Sequence, residues 1–82
     1  MKRSRIEIIF EILKALDSGV TTKTRLMYAS NLDWRNFSRY VDYMLKEGLI
    51  ATKGNEYRLT EKGRSLLVKL REISQILSLR QV

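Results

Sequence analysis

The stretch from residue 24 to residue 50 reads TRLMYASNLDWRNFSRYVDYMLKEGLI, and it decides the fold. Its apolar residues recur at helical spacing in two runs, which predict helices over about residues 23–29 and 34–47. A short turn separates the runs, and Asp33 is placed to cap the second of them. Gly48 then ends that helix, and a strand begins. This arrangement is typical of a helix-turn-helix.

The sequence of a helix capping box lies near the start of the chain. Ser4 and Glu7 stand three residues apart, which predicts a first helix over residues 5–18. One face of this helix is apolar, and Ile8 and Ile12 add a second apolar flank beside it. We expect another element, or a second chain, to cover that flank.

A hairpin follows the third helix. Two strands, residues 49–53 and 56–59, flank the two-residue loop Gly54-Asn55. The loop sets a register that places Ile50 opposite Leu59, and the same register puts the apolar side chains on one face. The sequence therefore predicts a wing-like hairpin after the second helix of the motif.

Two threonines define the remaining elements. Residues 20–22 are β-branched and predict a strand stub, after which Thr22 caps the second helix. Thr60 caps a last helix that runs to about residue 79. The predicted class is mainly α with a small β-hairpin (α+β), in the order of a winged helix-turn-helix.

The last helix carries an apolar seam at 4-3-4 spacing, as coiled coils do. It could fold back on the first helix or pair with the same helix of a second chain, and its length favours the second arrangement. We therefore expect a winged-helix domain at residues 1–60, a dimerisation helix at 61–82, and a homodimer joined through this last helix. The predicted dimer interface comprises Leu66, Leu70, Ile73, Leu77, Ile8 and Ile12.

The composition favours a polyanionic partner. The chain has 82 residues and a formal net charge of +7, from 16 Lys and Arg against 9 Asp and Glu. Such an excess suits nucleic acid or an anionic surface, although a solubility role is the alternative. The chain has no cysteine and no histidine. We therefore expect no metal site, no cofactor, no catalytic residue and no small-molecule ligand.

Hydropathy gives no membrane candidate, because apolar runs such as residues 8–10 are far too short to span a bilayer. The expected location is the cytoplasm, in association with the nucleoid.

The third helix turns a basic face away from its apolar side, and such a face fits the major groove of DNA. Arg can bind guanine, Asn can bind adenine and Asp can accept from cytosine, while the wing, the second helix and a basic N-terminal arm with Lys2 are placed to contact phosphates. A merely solvated helix face is the alternative. The candidate DNA-binding residues are Arg35, Asn36, Ser38, Arg39, Asp42, Tyr43, Lys46, Lys53, Asn55, Arg58, Lys23, Arg25, Arg3 and Arg5.

The aromatic residues offer a further alternative, a stacking platform for single strands. Phe37 and Tyr40 fall on the core side of the third helix and Trp34 lies near it. We therefore expect Trp34, Tyr28, Phe37 and Tyr40 to pack in the core.

Three segments, TRLMYASNL, DYMLKEGLI and YRLTEKG, resemble an archaeal winged-helix family. Its members include the small, basic, ten-kilodalton-class DNA-binding proteins of Sulfolobus, which are often described as chromatin-associated. The resemblance covers residues 3–70. The resemblance implies a winged helix, a homodimer joined by an antiparallel coiled coil of C-terminal helices, and binding of double-stranded DNA without a cofactor. It also implies that the helix after Asp33 is the reading helix and that the Gly54 hairpin is the wing.

Two departures from the family pattern stand out: the last helix is short, and the segment WRNFSRY is unusually basic. The resemblance leaves open a transcription regulator, a general chromatin component and a viral or plasmid protein. A protein-interaction adaptor without DNA binding is the alternative function, and RNA binding is a weaker one.

Overall fold

The computed structural model describes residues 3–77, which form four helices and one antiparallel hairpin. The elements are α1 Arg5–Asp17, α2 Lys23–Ser30, α3 Trp34–Lys46, β1 Ile50–Lys53, β2 Glu56–Leu59 and α4 Glu61–Ile76. Their order and type confirm the predicted winged helix-turn-helix. Lys2 and the predicted end of the last helix at residue 79 lie outside the described residues.

The predicted caps of α1 and α4 are present. The backbone N–H of Glu7 donates to Ser4 Oγ at 3.1 Å, and the Ser4 N–H donates to Glu7 Oε1 at 2.7 Å. At the start of α4, Thr60 Oγ1 accepts from the N–H of Gly63 at 3.0 Å. Each cap satisfies backbone donors that the first turn of a helix leaves unpaired.

The hairpin has the predicted register, with Ile50 opposite Leu59. A third segment pairs with it: Thr22 forms an isolated bridge with Glu56, and the Tyr57 N–H donates to the Thr21 carbonyl at 3.0 Å. The predicted strand stub is therefore reduced to this single bridge. Thr22 is the N-cap of α2, but its side chain makes no capping hydrogen bond, so that part of the prediction is wrong.

One core joins all the elements. It contains side chains from every helix and both strands, and α1 lies at its centre, packed against α2, α4 and β2. The buried apolar residues are Ile8, Ile9, Ile12, Leu13, Leu16, Leu26, Phe37, Val41, Met44, Leu49, Ile50, Tyr57, Leu67 and Leu70.

The second apolar flank of α1 is covered by the chain itself. Ile12 is 0% exposed and Ile8 is 8% exposed, in a core where α2, α4 and β2 all pack against α1. Leu70, at 8%, belongs to the same core. Ile8, Ile12 and Leu70 therefore cannot form the dimer interface predicted for them, and α4 up to Leu70 is part of the winged-helix core.

The inward stripe of α2 includes Leu26, as predicted, but differs from the prediction at its second residue. Ala29, expected to face inward, is exposed, and Ser30 is buried instead. The hydroxyl of Ser30 donates to the Leu26 carbonyl at 2.6 Å. Because residues four apart lie on the same helix face, Leu26 and Ser30 define the buried stripe.

The end of α3 and the start of α4 meet at one point. The Thr60 hydroxyl donates to the Gly48 carbonyl, and the Thr60 N–H donates to the Leu49 carbonyl at 3.2 Å. Gly63 lies directly against Leu49. These bonds fix α4 against the base of the hairpin, from which its second half extends past the core.

No helix within residues 3–77 is both long enough and apolar enough to cross a bilayer.

The first test concerns Gly63→Ala. A Cβ at this position would overlap the Leu49 carbonyl oxygen and lie 2.9 Å from its carbonyl carbon. We expect a loss of about 1–3 kcal/mol in the free energy of unfolding, as for other overpacked sites, although alanine is the better helix former. Urea unfolding followed by circular dichroism measures it. Ser65→Ala, at an exposed site in the same turn, is the control and should change stability by less than about 0.5 kcal/mol. Equal stability of the two variants would show that the approach of α4 to Leu49 is not tight.

Candidate nucleic-acid interface

The helix α3 is mounted firmly on the core. Phe37, Val41 and Met44 are buried on its inward face, as the helical projection predicts. At its start, Asp33 Oδ1 accepts from the backbone N–H of Asn36 at 2.8 Å. The buried face sets the rotation of the helix, and therefore the direction of every outward side chain.

The opposite face of α3 is open to solvent. Ser38 is half-buried at its edge. The exposed candidates on this face are Arg35, Asn36, Arg39, Asp42, Tyr43 and Lys46. Among residues 3–77 the ion pairs are Lys14–Glu11, Arg64–Asp17 and Arg71–Asp17, so none involves α3. Arg35 and Arg39 are thus exposed cations without a salt bridge in the described part of the chain.

The wing lies beside the start of α2. Lys53, Asn55 and Arg58 are exposed on the hairpin. A cleft of about 330 Å³ separates the hairpin from Lys23. Its lining residues are Lys23, Thr52, Gly54, Asn55, Glu56 and Tyr57. The structure therefore brings the predicted phosphate contacts of α2 and of the wing tip together. Arg25 is exposed on α2 and does not line this cleft.

The basic N-terminus is part of the fold. Arg3 is half-buried, and its Nη2 donates to the Asn31 carbonyl at 3.1 Å. Arg5 is the first residue of α1, and its guanidinium lies 6.0 Å from the ring centre of Tyr43 on α3. Arg5 and Tyr43 line a cleft of about 260 Å³ together with Asn36, Arg39 and Tyr40. Arg5 therefore lies against the third helix, and its contact with phosphate stays a prediction.

Two aromatic residues expected in the core are on the surface. Trp34 is 54% exposed and Tyr28 is 74% exposed. Lys23 Nζ lies 5.6 Å from the Trp34 ring centre, and the rings of Trp34 and Phe37 form a tilted pair with centres 6.0 Å apart. Helical side chains lean toward the N-terminus, so the first residue of α3 projects beyond the core. This lean could have indicated the exposure of Trp34 from sequence.

The combined surface offers many hydrogen-bond donors and cations. Guanidinium, ammonium and amide groups suit phosphate oxygens and the acceptor edges of bases. Asn36 is partly engaged, since its Nδ2 donates to Asp33 Oδ2 at 3.3 Å. Within the described ranges no group of three or more acidic side chains is placed to hold a metal ion. The arrangement is suited to holding a polyanion.

Comparison with known proteins gives the same architecture. Residues 2–78 match a protein family described as winged helix-turn-helix. An uncharacterised protein of Methanocaldococcus jannaschii is 47% identical over 77 residues, which cover 94% of this chain and 79% of the relative.

Two solved structures are also similar. One is Sso10a-2, a DNA-binding protein from Sulfolobus solfataricus, with a TM-score of 0.76, 28% identity and coverage of 93% of this chain and 83% of that chain. The other is the MarR family transcriptional regulator SPO1453 from Silicibacter pomeroyi, with a TM-score of 0.68, 26% identity and coverage of 85% and 54% respectively. The predicted resemblance to archaeal winged-helix proteins of Sulfolobus is confirmed.

The second test concerns the cap of α3. Replacing Asp33 by Ala leaves the Asn36 N–H without its side-chain partner, and we expect a loss of about 1 kcal/mol in the free energy of unfolding. Asp33→Asn is the matched control, because asparagine caps equally well without the charge. Thermal unfolding of both variants measures the difference. An equal loss in both would mean that the charge at Asp33, and not the hydrogen bond, stabilises the helix start.

Proposed function

The chain belongs to the winged helix-turn-helix family, and we propose that it binds double-stranded DNA by inserting α3 into the major groove. The observation that carries this proposal is the outward face of α3, where Arg35 and Arg39 are exposed and make no salt bridge within the described residues. The DNA-binding and regulatory proteins of similar fold support it. The protein acts as a DNA-binding regulator or chromatin component and not as an enzyme.

Binding begins with electrostatic capture. The net charge of +7 attracts the duplex and releases counterions from its phosphates. The helix α3 then enters the groove with its basic face toward the base edges. Arg35 and Arg39 are suited to guanine, whose two acceptors match a guanidinium, and Asp42 is suited to the amino group of cytosine.

The elements that flank α3, which are α2 and the wing, hold the DNA backbone. Lys23 and the wing-tip residues Gly54 and Asn55 line one cleft. Backbone donors and ammonium groups in such a position neutralise phosphates without reading sequence. Lys53 and Arg58 extend this contact along the hairpin, and Arg25 extends it along α2.

The second half of α4 joins two copies of the chain. Past Leu70 the helix carries apolar residues that the core leaves uncovered, with exposures of 45% at Ile73, 78% at Ile76 and 63% at Leu77. Their spacing continues the apolar seam, and Leu66 is half-buried at its start. A two-fold dimer through this segment presents two reading helices, which suits the two-fold symmetry of duplex DNA. The protein would then act at the nucleoid, either at particular operators or along the chromosome.

The DNA proposal is tested with random-sequence duplex. The logarithm of the binding constant should fall with the logarithm of salt concentration by about 0.9 for each phosphate neutralised. Arg39→Ala should weaken binding by about 1–3 kcal/mol if this residue reads a base. Fluorescence anisotropy with a labelled duplex measures both quantities, and Arg71→Ala, on α4, is the control for loss of one arginine.

If the anisotropy of the labelled duplex does not rise at moderate salt, the adaptor function is favoured, and the uncovered apolar face of α4 offers a surface for it. If Arg39→Ala and Arg71→Ala bind every duplex equally, Arg39 is not a DNA contact. Competition with duplex RNA tests the remaining nucleic-acid alternative.

The dimer is tested with Ile73→Asp, which places a charge in the proposed interface. We expect sedimentation equilibrium to give a dimer for the wild type and a monomer for this variant. Gln75→Asp adds the same charge at a neighbouring exposed site and should remain dimeric. A wild-type monomer, or a dimer of Ile73→Asp, would show that the distal half of α4 does not join two chains.

A further inference from the structure

A basic cleft lies between the first turn of α1 and the outer flank of α3. Its volume is about 260 Å³. Four of its five lining residues come from α3, and one comes from the start of α1. They are Arg5, Asn36, Arg39, Tyr40 and Tyr43. We refer to it as the α1–α3 cleft.

The walls of the α1–α3 cleft are held in place by three contacts. Arg3 binds the Asn31 carbonyl, and this bond holds the start of the chain against the turn before α3. The reciprocal Ser4–Glu7 cap then fixes where α1 begins. Finally, the guanidinium of Arg5 lies over the ring of Tyr43, a cation–π geometry that favours its position at the mouth of the cleft. The cleft is therefore organised before any ligand arrives.

The chemistry of the lining is that of an anion site. Two guanidinium groups offer a planar array of N–H donors, and two phenol hydroxyls add more. The lining contains no carboxylate. Neither Arg5 nor Arg39 belongs to an ion pair within residues 3–77. Two arginines that line one small space are suited to bidentate binding of phosphate oxygens.

The size of the cleft limits the ligand. Pockets for drug-sized molecules usually measure about 300–1,000 Å³. A cleft of about 260 Å³ is below that range, so it has room for a phosphate group and part of the sugar that carries it.

We propose that the α1–α3 cleft binds a single phosphate group of a nucleic acid backbone or of a free phosphate ester. The proposal deepens the DNA-binding function and, for the backbone source, rests on it. In the complex with DNA, Arg5 grips a phosphate at the rim of the groove that α3 enters. This contact fixes how far α3 slides along the groove, and hence which base pairs lie opposite Arg35 and Asp42.

Arg39 connects the cleft with the reading face, because it belongs to both. A small phosphate ester bound in the cleft engages Arg39 and withdraws it from the bases. High concentrations of inorganic phosphate or of a nucleoside monophosphate therefore compete with duplex DNA more strongly than chloride does at equal ionic strength.

The phosphate site is tested by comparing Arg5→Gln with Arg71→Gln, which removes the same charge from α4. For each protein, anisotropy gives the salt dependence of duplex binding, and NMR of the labelled chain follows titration with inorganic phosphate and with deoxyadenosine monophosphate. Arg5→Gln should lower the salt slope by about 1 and weaken binding uniformly across sequences, as loss of one phosphate contact does. The phosphate-induced shifts should lie at Arg5, Asn36 and Arg39 and should vanish in this variant. Arg71→Gln should keep the wild-type slope and the shifts.

The outcomes separate the cleft from the general function. If duplex binds but Arg5→Gln keeps the wild-type slope, the cleft proposal is overturned and the DNA-binding function stands. If phosphate shifts are spread over all surface cations, or both variants behave alike, the cleft proposal is likewise overturned. If no duplex binds while phosphate shifts the cleft residues, the cleft stands with a free ester as its ligand, and the DNA-binding function falls.

Discussion

The arrangement of the whole molecule depends on the junction where α3 ends, the hairpin begins and α4 starts. A single side chain, Thr60, bonds to the Gly48 carbonyl and caps α4 through Gly63, while its own N–H donates to Leu49. These bonds leave no room for a side chain at Gly63. Because Thr60 joins three elements within a few residues, these bonds set the orientation of the outward face of α3 relative to the wing.

Features encoded by near neighbours in the chain were predictable. The Ser4–Glu7 cap, the Thr60 cap and the register across Gly54 each depend on residues a few positions apart, and the structure has all of them. The outward direction of the α3 cations was also predictable, since helical periodicity alone separates them from Phe37. The winged-helix family could be identified for the same reason, because these local features follow one another in its characteristic order.

Features that depend on distant partners were not predictable. The apolar flank at Ile12 required a cover, but the sequence could not decide between α4 of the same chain and a second chain. The start of α1 also meets α3 at Tyr43, a contact that no local pattern encodes. The exposure of Trp34 differs from its predicted core position for another reason. A helical projection treats every turn alike, whereas the first turn of α3 extends past the core that would cover it. The candidate surface was thus found as a set of residues but not as two separate clefts.

The pairing of Thr21 and Thr22 with the second strand has a mechanical consequence. It ties the start of β2, next to the wing tip, to the start of α2, so the wing tip and Lys23 keep a fixed separation. Under the proposed binding mode, the protein cannot adjust this span to suit the duplex. The duplex must instead deform to fit, at an energetic cost that depends on the stiffness of each base-pair step. A fixed span between the wing tip and Lys23 would therefore favour DNA with flexible base-pair steps at positions that no side chain contacts.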